Sequence, residues 1–200
     1  MSTDLILVLG LSYLLGSVPF GLVFTKLAGL GDIREIGSGN IGATNVLRTG
    51  RKDLAAATLI LDAGKGAIAV LVTRYFMGME LAVYAGASAF IGHCFPIYLK
   101  FNGGKGVATF FGTLLAISPL MGGASIGVWL LTAALFRISS LSALCAALAA
   151  PAISSYFFAE PTYWASVAFM TLVIFIRHRE NIARIMTGTE PRIGNKSSQK

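Results

Sequence analysis

Carboxylates are scarce in this chain. Nine Asp and Glu stand against sixteen Lys and Arg in 200 residues, and only 12% of the chain is charged, where a soluble domain carries about 25%. Histidine and cysteine occur twice each. The polar stretches between the apolar runs lack a carboxylate cluster of the kind Mg²⁺ or Mn²⁺ favours. Without C-x-x-C spacing the two cysteines support neither a zinc site nor a disulfide framework. Cys94 and Cys145 fall within apolar runs and are read as packing residues. No metal and no cofactor is expected, and no Ser-His-Asp set is laid out.

Apolar residues are what the chain has in abundance, at 55%. An uninterrupted apolar stretch of about 20 residues spans a bilayer as a helix. Residues 5–25, 54–73, 81–99, 138–159 and 161–176 each form such a run. Residues 107–136 form a longer one, interrupted by "SPLMGG" at 118–123. The first run is too long for a signal h-region and is read as a retained span. If the chain turns at Pro119 there are seven crossings, some by short helices. Lys26, Arg34, Arg48, Arg51, Lys52, Lys100, Lys105, Arg137 and the basic tail from Arg177 then share one side, leaving only Arg74 on the other. Lys and Arg in short loops mark the cytoplasmic side. The expectation is one all-α integral membrane domain over 1–200, a seven-transmembrane-helix bundle with the N-terminus outside and the C-terminus cytoplasmic. Residues 192–200 are expected to be a disordered tail. The net charge of +7 lies beside the spans, where basic residues meet anionic lipid heads, so membrane lipids are the expected partners and nucleic acid is not. No internal repeat is evident, and no obligate protein partner is implied.

Three polar stretches interrupt this pattern. The first, "GSGNIGATNVLRTG" at 37–50, contains a literal G-x-G-x-x-G, and Asp62 lies where a ribose-binding acid would follow. The context is wrong for dinucleotide binding, because a membrane-length helix rather than a short strand precedes it. What remains is a cradle. Gly37, Gly39 and Gly42 allow backbone N–H groups to approach an anion, Ser38, Asn40, Thr44 and Asn45 add neutral hydrogen bonding, and Arg48 brings a fork suited to phosphate. The bland alternative is a flexible polar connector.

The second stretch, "FNGGKGVAT" at 101–109, places Asn102, Gly103, Gly104 and Gly106 around Lys105 just before a helix, where backbone donors and the helix dipole favour an oxyanion. It is no Walker loop, because Gly106 rather than Ser or Thr follows the lysine. In the third, "RHRENIARIMTGTE" at 177–190, His178 and Asn181 share a helical face with Arg184 or Ile185. His93 in "GHCFP" reads as structural. Asp62 and Lys65 are ionisable groups inside an apolar span and can pair at i, i+3. They form either an internal brace or, through Lys65, added charge for the site.

The stretches "GSVPFGLVFTK", "GDIREIGSGNIGATNVLRTG", "LDAGKG", "GHCFPIYLKFNGGKGVAT" and "HRENIARIMTGTE" together resemble the bacterial acyl-phosphate:glycerol-3-phosphate acyltransferases, in order and over nearly the whole chain. The resemblance implies a seven-helix membrane bundle in the bacterial inner membrane with its site at the cytoplasmic face. It implies transfer of a fatty acyl group from acyl phosphate to the 1-hydroxyl of sn-glycerol 3-phosphate, giving lysophosphatidic acid and inorganic phosphate. Ser38 and Arg48 match essential residues of the family's first motif. Gly103, Gly104 and Lys105 match its phosphate-binding second motif, His178 and Asn181 match the third, and Glu190 matches a structural glutamate. The H-x-x-x-x-D arrangement of other glycerolipid acyltransferases is missing, since Tyr98 and Ala183 stand where the aspartate would follow His93 and His178. A transporter of phosphorylated or anionic solutes would need a second polar opening, which the nearly bare outer loops do not offer. A lipid-binding scaffold would need the basic faces but not the Ser, Asn and Gly loops.

The charge asymmetry predicts sidedness. A cysteine introduced by Lys52→Cys should resist an impermeant maleimide added to intact cells and react once the membrane is opened. Ready labelling from outside would refute it.

Overall fold

The computed structural model describes residues 3–194, so the tail expected to be disordered lies, from Asn195 on, outside the described residues. Among the described residues every regular element is helical. With no strand before Gly37, the dinucleotide reading fails on structure as well as on context.

The first apolar run is two helices rather than one. α1 (Thr3–Gly16) stops before Pro19, and α2 (Phe20–Leu27) starts after it. Proline has no N–H to continue the ladder and disfavours helical backbone at the residue before it, Val18. A short α3 (Ala43–Val46) lies within the first polar stretch. α4 (Lys52–Met77) and α5 (Met79–Cys94) follow, separated by Gly78 in a conformation with φ +87°. α6 (Val107–Ile117) and α7 (Pro119–Phe136) are divided at Ser118, whose extended backbone and hydroxyl, accepting from the Met121 N–H at 3.3 Å, start α7. The break expected at Pro119 is therefore present. α8 (Ser139–Phe157), α9 (Pro161–Arg177) and α10 (Arg179–Met186) complete the chain.

Five helical segments are long and apolar enough to cross a membrane: Thr3–Leu27, Lys52–Met77, Met79–Leu99, Pro119–Phe136 and Ser139–Phe157. Two shorter apolar helices, Val107–Ile117 and Pro161–Arg177, accompany them. Leu59, Ile60, Ile68 and Leu71 point outward from α4, as expected of a surface that faces lipid, and Tyr75, Phe76 and Tyr156 stand exposed near helix ends, where aromatic rings suit the interface.

Two compact units make up the fold, one ending at Gly122 and the other beginning at Gly123. In the first, α4 packs against α5 and α6, and α1 against α5. Small residues let the backbones touch, as is usual where helices meet in lipid. A Cβ on Gly16 would overlap the Ala89 carbonyl, one on Gly92 the Tyr13 carbonyl, and one on Gly112 the Ala63 carbonyl. In the second unit α8 packs on α9, and α10 contacts both.

Candidate phosphate-handling site

The first polar stretch is a folded structure with its own apolar base. Ile33, Ile41 and Val46 are buried with Leu22 and Ala55, and Ile36, Leu54 and Leu99 pack around them. A flexible connector would bury none of these. Asp32 opens the stretch by accepting from the Arg34 N–H and from its guanidinium, and that hydrogen bonding holds the Asp32 carboxyl down at about 2. Gly37 and Gly39 then take left-handed backbone, φ +57° and +67°, which turns the chain back on itself.

Asn45 is the centre of this turn, only 1% exposed. Its amide nitrogen donates to the carbonyls of Ile33 and Ile36 at 2.9 and 2.8 Å. Its amide oxygen accepts from the Ser38 N–H at 3.1 Å, the Ser38 hydroxyl at 3.3 Å and the Arg48 guanidinium at 3.4 Å. Both donors and the acceptor are thus engaged internally. Expected as a phosphate contact, Asn45 is instead the residue that gathers two others: Ser38 and Arg48 are both exposed and converge on one buried oxygen. Gly37 is needed at this point, because a Cβ there would stand 2.6 Å from that oxygen and 2.8 Å from the Arg48 side chain. Gly42 starts α3, its carbonyl accepting from the Asn45 and Val46 N–H groups; Thr44 is exposed and Asn40 half-buried.

The second stretch is tied to the end of α5. The Gly103 N–H donates to the Cys94 carbonyl at 3.2 Å and the Gly104 N–H to the His93 carbonyl at 3.0 Å. These two donors, expected to meet an anion, satisfy carbonyls that Pro96 leaves without helical partners. What Gly103 and Gly104 provide is close approach: a Cβ on Gly103 would overlap the His93 carbonyl and Pro96, and one on Gly104 the His93 ring. Gly106, at φ +81°, fits against Phe90 and Cys94 and begins α6. Lys100 and Phe101 hold left-handed backbone at φ 51° and 63°, a conformation costing about 1–2 kcal/mol per non-glycine residue. Asn102 is exposed and donates to the Lys100 carbonyl, and Lys105 is half-buried.

Asp62 and Lys65 form the ion pair that their spacing allows, at 3.0 Å, and both are 2% exposed. Lys65 also donates to the Val18 carbonyl at 3.0 Å, the group set free by Pro19, and stands 5.8 Å from the centre of the Phe20 ring. Of the two readings for Lys65, the internal brace is the one its contacts match. His93, 4% exposed, has Nδ1 3.6 Å from Asp62 Oδ1.

In the second unit His178 occupies the junction between α9 and α10 rather than a helix interior. Its Nδ1 lies 2.8 Å from the Ile174 carbonyl, which can only accept, so Nδ1 carries a proton. Glu190 accepts from Ser140 at 2.6 Å and Asn181 at 2.5 Å on one oxygen, and from Arg184 at 2.6 Å on the other. Glu190 thereby fixes the Asn181 amide. Ser140 was not foreseen in this role, because it lies fifty positions from Glu190 and no spacing rule connects them. No group of three or more metal-ligating side chains occurs among the described residues.

These features define an all-helical membrane protein with glycine-turned, cation-bearing loops suited to oxyanions. The family model for glycerol-3-phosphate acyltransferase matches residues 6–188, and the chain belongs to that family. The glycerol-3-phosphate acyltransferase of Dinoroseobacter shibae is 63% identical over 92% of this chain and 91% of its own, and that of Mesorhizobium japonicum 54% identical over 98% and 100%. A crystal structure of PlsY (YgiH), an integral membrane glycerol 3-phosphate acyltransferase in its glycerol 3-phosphate form, matches with a TM-score of 0.90 at 36% identity, covering 95% of this chain and 96% of that one. A second structure of PlsY, in the lysophosphatidic acid form, matches with a TM-score of 0.88.

Burial pushes the Glu190 carboxyl up, but its bonds from Ser140, Asn181 and Arg184 outweigh this and hold it below the ordinary glutamate range. A group depressed in the folded state stabilises above its unfolded value and loses that contribution as pH falls through the folded one. Glu190→Gln should therefore lower the melting temperature at pH 7, and the difference from the parent should shrink as pH drops below about 4. Thermal scans in detergent across that range check this.

Proposed function

We propose that this chain transfers a fatty acyl group from acyl phosphate to the 1-hydroxyl of sn-glycerol 3-phosphate at the cytoplasmic face of the bacterial inner membrane. The observation that carries the reading is the convergence of exposed Ser38 and Arg48 on the buried Asn45 amide oxygen, which fixes a hydroxyl and a guanidinium side by side. Membership of the glycerol-3-phosphate acyltransferase family supports the acceptor. The five long and two shorter apolar helices, with the basic loops, support seven crossings with the C-terminus in the cytoplasm.

Both substrates are anionic, so bringing them together needs cations and dipoles rather than carboxylates. In this reading Arg48 and Lys105 hold phosphate oxygens, Ser38 hydrogen-bonds one of them, and Gly39, Asn40, Gly42, Thr44, Asn102 and Gly106 shape the loops. His178 and Asn181 contact substrate, with Asn181 presented by Glu190. The acceptor hydroxyl oxygen attacks the acyl carbon, and a tetrahedral oxyanion forms and is stabilised by positive groups, usually the largest catalytic contribution. The acyl carbon to phosphate oxygen bond then breaks. The phosphate leaves with the electron pair, and a substrate phosphate oxygen takes the hydroxyl proton, giving an ester and inorganic phosphate in balance. No strong protein base is required, because phosphate is a good leaving group.

The donor follows from the size of the loops as well. The longest, 27–52, is occupied by the Asn45 turn and its apolar base, which leaves little chain to enclose coenzyme A or dock a carrier protein. Purified protein should release one phosphate per lysophosphatidic acid from acyl phosphate, with little or no transfer from acyl-coenzyme A or acyl carrier protein at equal concentration. Efficient transfer from either thioester would sink the donor assignment.

Arg48→Lys removes the planar fork that bonds Asn45 and phosphate together. Loss of one charge-assisted hydrogen bond, about 1.5–3 kcal/mol, corresponds to roughly ten- to more than a hundredfold in kcat/KM. Steady-state kinetics of the folded variant measure it, and parental values would remove Arg48 from the site.

A further inference from the structure

We infer that Asp62, Lys65 and His93 are positioning residues for Lys105, together setting where the 103–106 turn presents that lysine. The inference rests on the reading of Lys105 as a phosphate contact.

Three buried ionisable side chains inside the first unit join several of its elements. Lys65 on α4 holds the open Val18 carbonyl between α1 and α2 and pairs with Asp62 at 3.0 Å. The Asp62 carbonyl accepts from the Thr109 hydroxyl of α6 at 2.8 Å, and its carboxylate faces His93 Nδ1 at 3.6 Å. The opposite edge of that ring, Nε2, lies against Gly104 so closely that a Cβ there would overlap it, while the Gly104 N–H donates to the His93 carbonyl. One imidazole thus has the Asp62 carboxylate on one side and the residue before Lys105 on the other.

Stability does not account for this arrangement. A buried ion pair is offset by its desolvation, and well-packed apolar residues of similar volume often serve the fold equally well. The chain entering that turn has two consecutive non-glycine residues, Lys100 and Phe101, in left-handed backbone, so this segment relaxes away from its geometry unless its neighbours hold it. His93 is a rigid seat for the turn, and the Asp62–Lys65 pair fixes the ring. Moving the seat moves Lys105, and a displacement on the order of 1 Å at a reacting centre costs about 100-fold in rate.

The test uses the full chain in bicelles with acyl phosphate and glycerol 3-phosphate, comparing His93→Gln, Asp62→Asn and the paired Asp62→Leu with Lys65→Met against Lys105→Met. His93→Gln removes the seat itself, and the apolar pair removes what fixes its ring without leaving a lone buried charge; exchange in α4 and α5 decides whether either variant has loosened the fold instead. Turnover should fall about 100-fold in each. Amide exchange should quicken at Gly103 and Gly104 while the middle of α4 and of α5 exchanges as in the parent. Parental turnover in His93→Gln or in the apolar pair beside an inactive Lys105→Met would overturn the inference alone. Low turnover with unchanged exchange at the turn, or faster exchange throughout α4 and α5, would also overturn it. Parental turnover in Lys105→Met would overturn the reading of Lys105 and the inference with it.

Discussion

Hydrocarbon offers no hydrogen bond, so wherever a helix in lipid is interrupted the protein itself must satisfy the groups left open. This constraint organises the first unit. The interruption at Pro19 leaves the Val18 carbonyl, and the Lys65 ammonium takes it. The end of α5 before Pro96 leaves the carbonyls of His93, Cys94 and Phe95, which are taken by the N–H groups of Gly104 and Gly103 and by the Tyr13 hydroxyl at 2.7 Å. Polar chemistry in this protein enters the apolar bundle where the helices stop. The second glycine-rich stretch follows directly on the stop at Pro96.

One principle recurs: a polar group held by the fold determines where another sits. The buried Asn45 does this for the exposed Ser38 and Arg48, and in the second unit Glu190 does it for the buried Asn181. Long flexible side chains lose rotamer freedom when they hold a ligand. Prior anchoring reduces that cost, and it also means that much of the polar content of the loops faces inward.

That inward orientation is what sequence reasoning could not reach. The spans, the break before Pro119 and the pairing of Asp62 with Lys65 follow from hydropathy, from proline and from helical spacing, all of them local rules. The stretches that carry the candidate site were legible from their density of glycine and small polar residues. Their internal assignment was not. Whether the Asn45 amide points toward solvent or toward Ile33 depends on left-handed backbone at Gly37 and Gly39 and on the apolar base beneath, neither of which composition reveals. The same holds for Gly103 and Gly104, whose N–H groups meet carbonyls rather than solvent. The contacts of Lys65 with Val18 and of Ser140 with Glu190 join residues 47 and 50 positions apart, beyond any periodicity.

The Asn45 turn has an evolutionary corollary. Ser38 and Arg48 reach the same oxygen only because Asn45 lies seven positions after Ser38 and three before Arg48. One residue inserted or deleted between Gly37 and Arg48 would change that register and lift Ile41 or Val46 from the base. Surface loops ordinarily tolerate changes of length, but this one resembles a core element in its intolerance of them. Exchanges of side chain at outward positions such as Thr44 and Leu47, by contrast, leave the chain count between the glycine and the arginine unchanged and disturb neither the register nor the base.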